Sequence, residues 1–575
     1  TIGPVGERKL LINRWNYEFL HRPTPDYFQS FGLGFYEFFQ LCEDLGAEPM
    51  PILNCGMACQ FNSGELCPLD QLDPFIQDAL DLVEFANGPA ASPWGARRAE
   101  LGHPEPFNLK MLGIGNEQWG PQYLERYARF ADVLKRKHPG IQLISDAGPF
   151  PADERFHFLW PRLRELGADI VDEHCYANPV WFLANAHRYD HYDRSGPKVM
   201  MGEFAAQSVG IASPKNRNDL ECALAEAAYM TGLERNADVV RLVSYAPLFA
   251  NADAWQWTPD LIWVNSLEAC PTPNYYVQQL FMRHRGDRTL PVELAGAELP
   301  AAPPAGGIGL GTLQSAVEFR DVRVTAGGRT LLAADFSRGT EGWTSGDGQW
   351  SVQDGALRQT DPGASGCSFA GDSSWRDYTF SLQARKIGGA GGFQIRVRCG
   401  GPEDYIAWNL GGVENTAHAV VARLAQQDAE RARMAGTIET GRWYRIEVRL
   451  AGSGVDCYLD GRRLQGVEVP PPQIQRLYAS ATRDDRTGEV ILKVVNPGAA
   501  TEVEVQLTGG APAAGKASVI VLASGALRDE NSFAEPGKVV PVESELKISA
   551  ARFTHRFPQH SMTVLRMKTQ SAGKE

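Results

Sequence analysis

Between Gly34 and His284 short apolar runs alternate with stretches of helical period, and that alternation limits the fold more than anything else in the 575 residues. Phe35, Phe38, Phe39, Leu41 and Cys42 share one helical face, and Gly46 closes it as a C-terminal cap would. Residues 49–54 read as a short strand ending in Asn54, and Asp73-Pro74 opens a helix with proline in the first turn. Further strands are expected at 109–115, 141–145 (followed by Asp146), 170–174, 199–203 and 239–245. Helices are expected at 123–137, 152–166, 219–235 and 274–284. Strands and helices in strict alternation imply parallel β/α units, for which a barrel is the commonest large solution. The strands begin near residues 49, 109, 141, 170, 198 and 239, which is six where a (β/α)8 TIM barrel needs eight. An open doubly wound sheet is the alternative, but the glycine fingerprint expected after its first strand is absent. The glycine-rich stretch Gly306-Gly307-Ile308-Gly309-Leu310-Gly311 reads as part of a linker, not as a phosphate loop.

The flanks have a different texture. Residues 1–30, rich in Pro, Trp, Tyr and Arg, read as a long loop, and the Ala, Pro and Gly of 296–312 mark a linker. Beyond it come short alternating strands at 316–324, 378–385, 392–399, 405–410, 443–450 and 455–459, the last followed by the hairpin turn Asp460-Gly461. Residues 477–568 form a second all-β segment, with 490–495 a buried strand and 562–567 the last one. The expected architecture is therefore α/β plus all-β. A catalytic domain spans 1–285, and 286–312 is a linker and the start of a C-terminal sandwich. An inserted jelly roll covers 313–470 and the C-terminal β-sandwich 471–575.

Composition removes several functions. A net charge of −13 argues against unaided binding to nucleic acid or an anionic membrane, and no apolar run approaches the ~18–20 residues of a membrane span. The chain opens Thr1-Ile2-Gly3-Pro4 with no signal peptide to read, and a secreted or periplasmic location is the favoured expectation. Cys55, Cys59 and Cys67 cluster in one loop, where a local disulfide competes with buried thiols; their spacing fits no common zinc pattern. Homo-oligomerisation is left open.

Two strands end in glutamate, and the two lie 203 − 117 = 86 residues apart: Glu117 in Gly113-Ile114-Gly115-Asn116-Glu117, and Glu203 in Met201-Gly202-Glu203. In a β/α barrel the C-terminal strand ends carry the chemistry, so both would face one rim. Glycoside hydrolysis needs such a pair, one carboxyl as acid and one as nucleophile or base. The bland alternative for each is a rim salt bridge. Asn116 suits a ring hydroxyl, and Asn54 is a further sugar ligand of the same kind. His174 and Tyr176 end another strand, with a backbone-satisfied core histidine as the alternative for His174. Trp119, Trp181, Trp255 and Trp257 are candidates for stacking on sugar faces, against a plain packing role. Neither His-Glu-x-x-His nor Gly-x-Ser-x-Gly occurs, which argues against a zinc protease and a serine hydrolase.

With those residues in view, the chain resembles glycoside hydrolase family 51, the α-L-arabinofuranosidases. The resemblance rests on Gly113–Gly120, and on Asp172-Glu173-His174-Cys175-Tyr176 and Met201-Gly202-Glu203-Phe204-Ala205. It extends through 244–251, Thr272-Pro273-Asn274-Tyr275-Tyr276-Val277, Tyr478-Ala479-Ser480-Ala481-Thr482-Arg483 and Asp529-Glu530-Asn531-Ser532-Phe533, over about 1–285 and 477–568. It implies a retaining enzyme without metal or cofactor, with Glu117 as acid/base, Glu203 as nucleophile and Asn116 on the substrate hydroxyl. The substrate implied is arabinofuranosyl-containing plant polysaccharide or oligosaccharide.

The chain departs from that family's pattern twice. Residues 313–470 resemble an inserted concanavalin or laminin-G-type jelly roll, in which Trp343, Trp350, Trp375, Trp408 and Trp443 either bind glycan or fill the core. In addition, the family's first two barrel strands precede the Thr-Ile-Gly-Pro stretch. The chain therefore reads as N-terminally shortened, and weak stability and activity are expected of it alone. A β-xylosidase or endoglucanase of the same clan, or a catalytically impaired carbohydrate-binding protein, are the competing readings.

Overall fold

A computed structural model describes residues 33–568, apart from 62–63, 212, 256, 296–298, 301–304, 338, 402–403, 425–426, 508–514 and 549. The loop expected over residues 1–30 lies outside the described residues. The described residues divide into two compact units, one drawn from 33–208, 212–295 and 477–568, the other from 209–211 and 296–476.

In the first unit six strands lie side by side in chain order: β1 (Ile52–Leu53), β2 (Met111–Ile114), β3 (Gln142–Asp146), β4 (Ile170–Ala177), β5 (Lys198–Ala206) and β6 (Val240–Val243). Every neighbouring pair is parallel. The connecting helices include α1 (Phe35–Leu45), α2 (Asp73–Asn87), α3 (Pro93–Glu100), α4 (Pro121–Lys137), α5 (Glu154–Glu165), α6 (Pro179–Ala184), α7 (Leu220–Arg235) and α8 (Pro273–Arg283). Their starts follow capping chemistry. Asp153, Asn178, Asp219 and Thr272 each accept a hydrogen bond from the backbone N–H three residues on. Gly46 ends α1 with φ 66°, a conformation that costs glycine little. Parallel strands share one C-terminal edge, so everything placed just past β2, β3, β4 and β5 converges.

α7 is unusual in being buried on nearly all sides, from Leu220 to Leu233. The reason is a second layer. The C-terminal sheet runs in the order Arg288–Leu290, Tyr478–Arg483, Glu489–Asn496, Ser561–Lys568, Gly515–Ala523 and Val542–Ile548, and it packs on this helix. The Lys493 ammonium donates to Glu234 of α7 at 2.6 Å, and Arg528 reaches its N-cap Asp219 at 2.8 Å. The α7 amides of Leu220 and Glu221 donate to the carbonyls of Asp529 and Leu527, both at 2.9 Å.

The second unit holds two large antiparallel sheets, of seven and eight strands, around one apolar core that includes Ile308, Phe319, Phe380, Phe393, Trp408 and Val448. Its entering and leaving segments pair with each other, Leu299 opposite Ile474. Adjacent ends are the geometry that lets one domain sit inside another. The glycine-rich stretch expected as linker is instead a buried strand, Gly307–Thr312, paired with Cys367–Ala370 and Phe393–Gly401. Close backbone approach explains its glycines: a Cβ on Gly307 would lie 2.3 Å from the Ala370 carbonyl oxygen. At Asp460-Gly461 both φ are positive, 49° and 82°, as a tight hairpin requires.

The tryptophans of this unit pack. Trp408 is buried with its N–H donated to Gln465 at 2.7 Å, and Trp343, Trp350 and Trp375 lie against the core. Trp443 is flanked by Arg320 and Arg385, whose guanidinium carbons lie 4.0 and 4.6 Å from its ring centre. None of the ten cysteines forms a disulfide. No helix among the described residues is long and apolar enough to cross a membrane.

Candidate active site

The chain leaves β2 through Gly115 at φ 85° and turns back at Glu117, a non-glycine residue held at φ 55°. Such a backbone is uncommon outside glycine and costs of order 1–3 kcal/mol, so the surrounding structure must hold it. β5 presents Glu203 differently, from within the strand itself. Its neighbour in β4 is His174, and the ladder shifts register between Glu173 and His174. That bulge adds one residue to β5, Gly202, and re-aims the rest of the strand.

His174 is the meeting point. Its Nδ1 lies 3.0 Å from Glu117 Oε1 and 3.6 Å from Glu203 Oε2, and its Nε2 lies 3.1 Å from Asp172 Oδ2. The ring is 1% exposed. Burial opposes its charge, but Glu203 and Asp172, with hydrogen bonds to Asp172 and Glu117, hold it well above the ordinary histidine value. With the ring protonated, Nδ1 donates to Glu117 and Nε2 to Asp172. Burial pushes the Glu203 carboxyl above the ordinary glutamate range; the His174 charge works against this and Glu117 adds to it. Tyr176 donates its hydroxyl to Glu203 Oε2 at 2.6 Å.

One nitrogen of His174 and one oxygen each of Glu117 and Glu203 lie within 4.8 Å of one another.

Asp172 Oδ1 accepts from the Gly202 N–H at 2.9 Å. A Cβ on Gly202 would lie 2.2 Å from that oxygen, so glycine is needed for Asp172 to reach the histidine. Gly202→Ala is expected to lower kcat/KM at least about 100-fold while keeping the secondary structure, because it displaces Asp172 and the adjacent Glu203 together. Kinetics beside circular dichroism check this; near-wild-type activity would show that the close approach does not matter.

The other expected ligands separate into two groups. Asn116 is exposed beside Glu117, while Trp119 is half-buried, with the Arg155 guanidinium 4.1 Å from its ring centre. Trp257 packs on Tyr176 at 5.4 Å, and Trp255 on Trp263 at 5.7 Å. Asn54 is exposed at the end of β1, and its carbonyl oxygen caps its own loop, accepting from Gly56 and Met57. Trp181 is a correction. It is fully buried against Phe182 and Tyr229 and presents no face to a sugar, because it lies in α6 where that helix packs on α7.

Sequence reasoning gave no role to Asp146 or Asp172. The signal was available for Asp146, which ends β3 as Asn54 and Glu117 follow their own strands. Asp172 had only its position two residues before His174. Glu173, in the same motif, is structural: it accepts from Trp160, Tyr189, Tyr192 and Arg188 and is fully buried.

Residues 1–194 match the family of α-L-arabinofuranosidase 1 domains, and residues 202–561 match the α-L-arabinofuranosidase C-terminal domain. The extracellular exo-α-L-arabinofuranosidase of Streptomyces chartreusis is 42% identical over 99% of this chain and 67% of its own length. α-L-Arabinofuranosidase 2 of Arabidopsis thaliana is 40% identical over 47% of this chain and 38% of its own length. This chain thus spans two thirds or less of the curated relatives it matches. An arabinose-bound GH51 α-L-arabinofuranosidase superposes with a TM-score of 0.57 at 22% identity, covering 96% of this chain and 60% of that one. The arabinose complex of the Thermotoga maritima enzyme gives 0.51 at 15% identity, covering 94% and 80%. At these identities the structures speak to fold alone.

Proposed function

The chain belongs to the α-L-arabinofuranosidase family of glycoside hydrolases, and from that membership we propose that it releases terminal α-L-arabinofuranosyl groups from plant poly- or oligosaccharides with retention of configuration. The observation that carries the reading is the convergence of Glu117 and Glu203 on His174, with one oxygen of each carboxyl and one ring nitrogen within 4.8 Å of one another. We read the six parallel strands as staves of a (β/α)8 barrel, and the site as its C-terminal rim.

In this mechanism Glu203 attacks the anomeric carbon while Glu117 protonates the departing oxygen, giving a covalent arabinosyl ester. Glu117, now ionised, takes a proton from water, which attacks the same carbon and frees Glu203. The Tyr176 hydroxyl occupies one oxygen of Glu203 and leaves the other to attack. The His174 charge steadies the Glu203 anion and fixes the Glu117 carboxyl. We read Asn116, exposed beside Glu117, as the residue that holds the hydroxyl next to the reacting carbon, and Trp119 as a neighbouring sugar contact. No metal or organic cofactor enters. Secretion is the location we favour, from the extracellular Streptomyces relative.

Hydrolysis of 4-nitrophenyl α-L-arabinofuranoside, with the first product followed by proton NMR, tests the reading: the α-anomer should appear before mutarotation. Cleavage of β-xylosides or glucans with no arabinofuranosidase activity would replace it with another activity of the clan. Attack needs the Glu203 anion, whose proton is held above the ordinary value of 4.5. Activity is therefore expected to fall on the acid side with a midpoint above that value, read from kcat/KM against pH; a midpoint below it would contradict Glu203 as the group that must ionise.

A further inference from the structure

Glu117 carries its carboxyl on a turn that no strand ladder supports. The last backbone bond before it is from the Gly115 N–H to the Leu53 carbonyl at 2.9 Å. Past that point Gly115, Glu117 and Gly120 all have positive φ. Two side chains grip the backbone just beyond Glu117. Gln60 pairs with the backbone of Trp119 in both directions, at 2.8 and 3.2 Å. Nearer the chemistry, Asp146 Oδ2 accepts from the Gln118 N–H, the amide directly after Glu117, at 2.7 Å.

Asp146 also grips the other side of the turn. Its own N–H donates to the Tyr123 hydroxyl at 2.8 Å, and that hydroxyl donates to the carbonyl of Ile114, the last residue of β2, at 2.8 Å. One residue at the end of β3 thus ties together the residue that ends β2 and the residue directly after Glu117. Asp146 is 2% exposed, and its second oxygen, Oδ1, is buried with no hydrogen-bond partner. A carboxyl buried half-satisfied costs folding free energy. An apolar residue would avoid that cost but leave the Gln118 amide unmet. Burial raises its proton affinity well above the ordinary aspartate range, with the His174 charge and the Gln118 amide working against this, so its role need not involve a charge.

We propose that Asp146 is the positioning residue of the acid/base: the hydrogen bond it accepts from Gln118 holds the left-handed turn that aims Glu117 at the leaving-group oxygen. The inference rests on Glu117 being the acid/base. It implies a defect confined to proton donation, which leaving groups distinguish. A 2,4-dinitrophenyl leaving group departs without a proton, whereas an alkyl one does not.

The test compares kcat/KM of the full chain and its variants on 2,4-dinitrophenyl and methyl α-L-arabinofuranosides. Asp146→Ala is expected to lose about 30-fold or more on the methyl glycoside, and under about 3-fold on the dinitrophenyl one. Asp146→Asn keeps an acceptor for the Gln118 amide and is expected to restore the methyl glycoside to within about 5-fold of wild type. Tyr123→Phe breaks the link to Ile114 with Asp146 in place. It keeps the question open to measurement if Asp146→Ala does not fold, and should show the same selectivity at about 3- to 10-fold. Equal losses on both substrates, or an asparagine variant as poor as alanine, overturn the proposal. Wild-type inactivity on both arabinofuranosides would instead overturn the functional reading beneath it.

Discussion

Replacing Glu203 with alanine is expected to abolish hydrolysis of arabinofuranosides, by about 10⁴-fold or more. At 1.36 kcal/mol per decade, that is at least about 5.4 kcal/mol of lost transition-state stabilisation. The size reflects the chemistry. Without the nucleophile no covalent intermediate forms, and His174 and Glu117 cannot supply one. The fold should survive, because Glu203 adds a side chain to the rim and not to the core: its side chain is 27% exposed while Phe204 beside it is fully buried. The variant also carries a diagnostic. The space left by the carboxylate admits azide, which attacks the anomeric carbon from the vacated face. On a dinitrophenyl substrate the product should be the inverted β-azide. Glu117→Ala with azide should give the α-azide, because azide then attacks the ester that Glu203 has already formed. Retained hydrolysis in the Glu203 variant, or the same azide anomer from both variants, would show that the two roles are misassigned.

Lys493→Ala is expected to be the most damaging single change outside the site, costing about 3 kcal/mol of stability with little effect on kcat/KM at low temperature. Lys493 is fully buried in the C-terminal sheet, and its ammonium donates to Glu234 Oε1 of α7 at 2.6 Å. Burial lowers its proton affinity, and Glu234 counters that. Removing the lysine leaves Glu234, itself only 12% exposed, without its cation at the face where α7 meets the sheet. Ser480 Oγ would remain as its donor, at 2.5 Å. The check is thermal and denaturant unfolding of the full chain, together with the double variant Lys493→Met, Glu234→Leu. A buried ion pair is replaced by apolar residues far more cheaply than it is halved, so the double variant should recover most of the loss. If the single and double variants are equally destabilised, the ion pair is not what the alanine removes.

The six parallel strands were legible because a buried parallel strand is a short apolar run with an abrupt polar end. All six expected strands are present, and Glu117, His174 and Glu203 do meet. The packing of the tryptophans was not legible. Trp181 and Trp119 look alike in one dimension, each close to a strand end, yet one is sealed between α6 and α7 and the other is half-buried under Arg155. The glycine-rich strand at 307–312 was misread for a related reason. Glycine and proline usually punctuate loops, and only the neighbouring strands show that these glycines serve close backbone approach.

Local sequence by itself determined which residues end strands, where helices cap, and which two carboxylates are available for double displacement, because these depend on spacing and on side-chain chemistry within a few positions. Tertiary structure alone decided how those groups act on one another. The bulge opposite His174 brings in Gly202, the absent Cβ lets Asp172 reach the imidazole, and Asp146 grips the turn that carries Glu117. The two aspartates accept from backbone amides 28 and 30 residues away in sequence. The strength of these contacts depends on the exclusion of water, which no run of residues specifies until the strands are side by side.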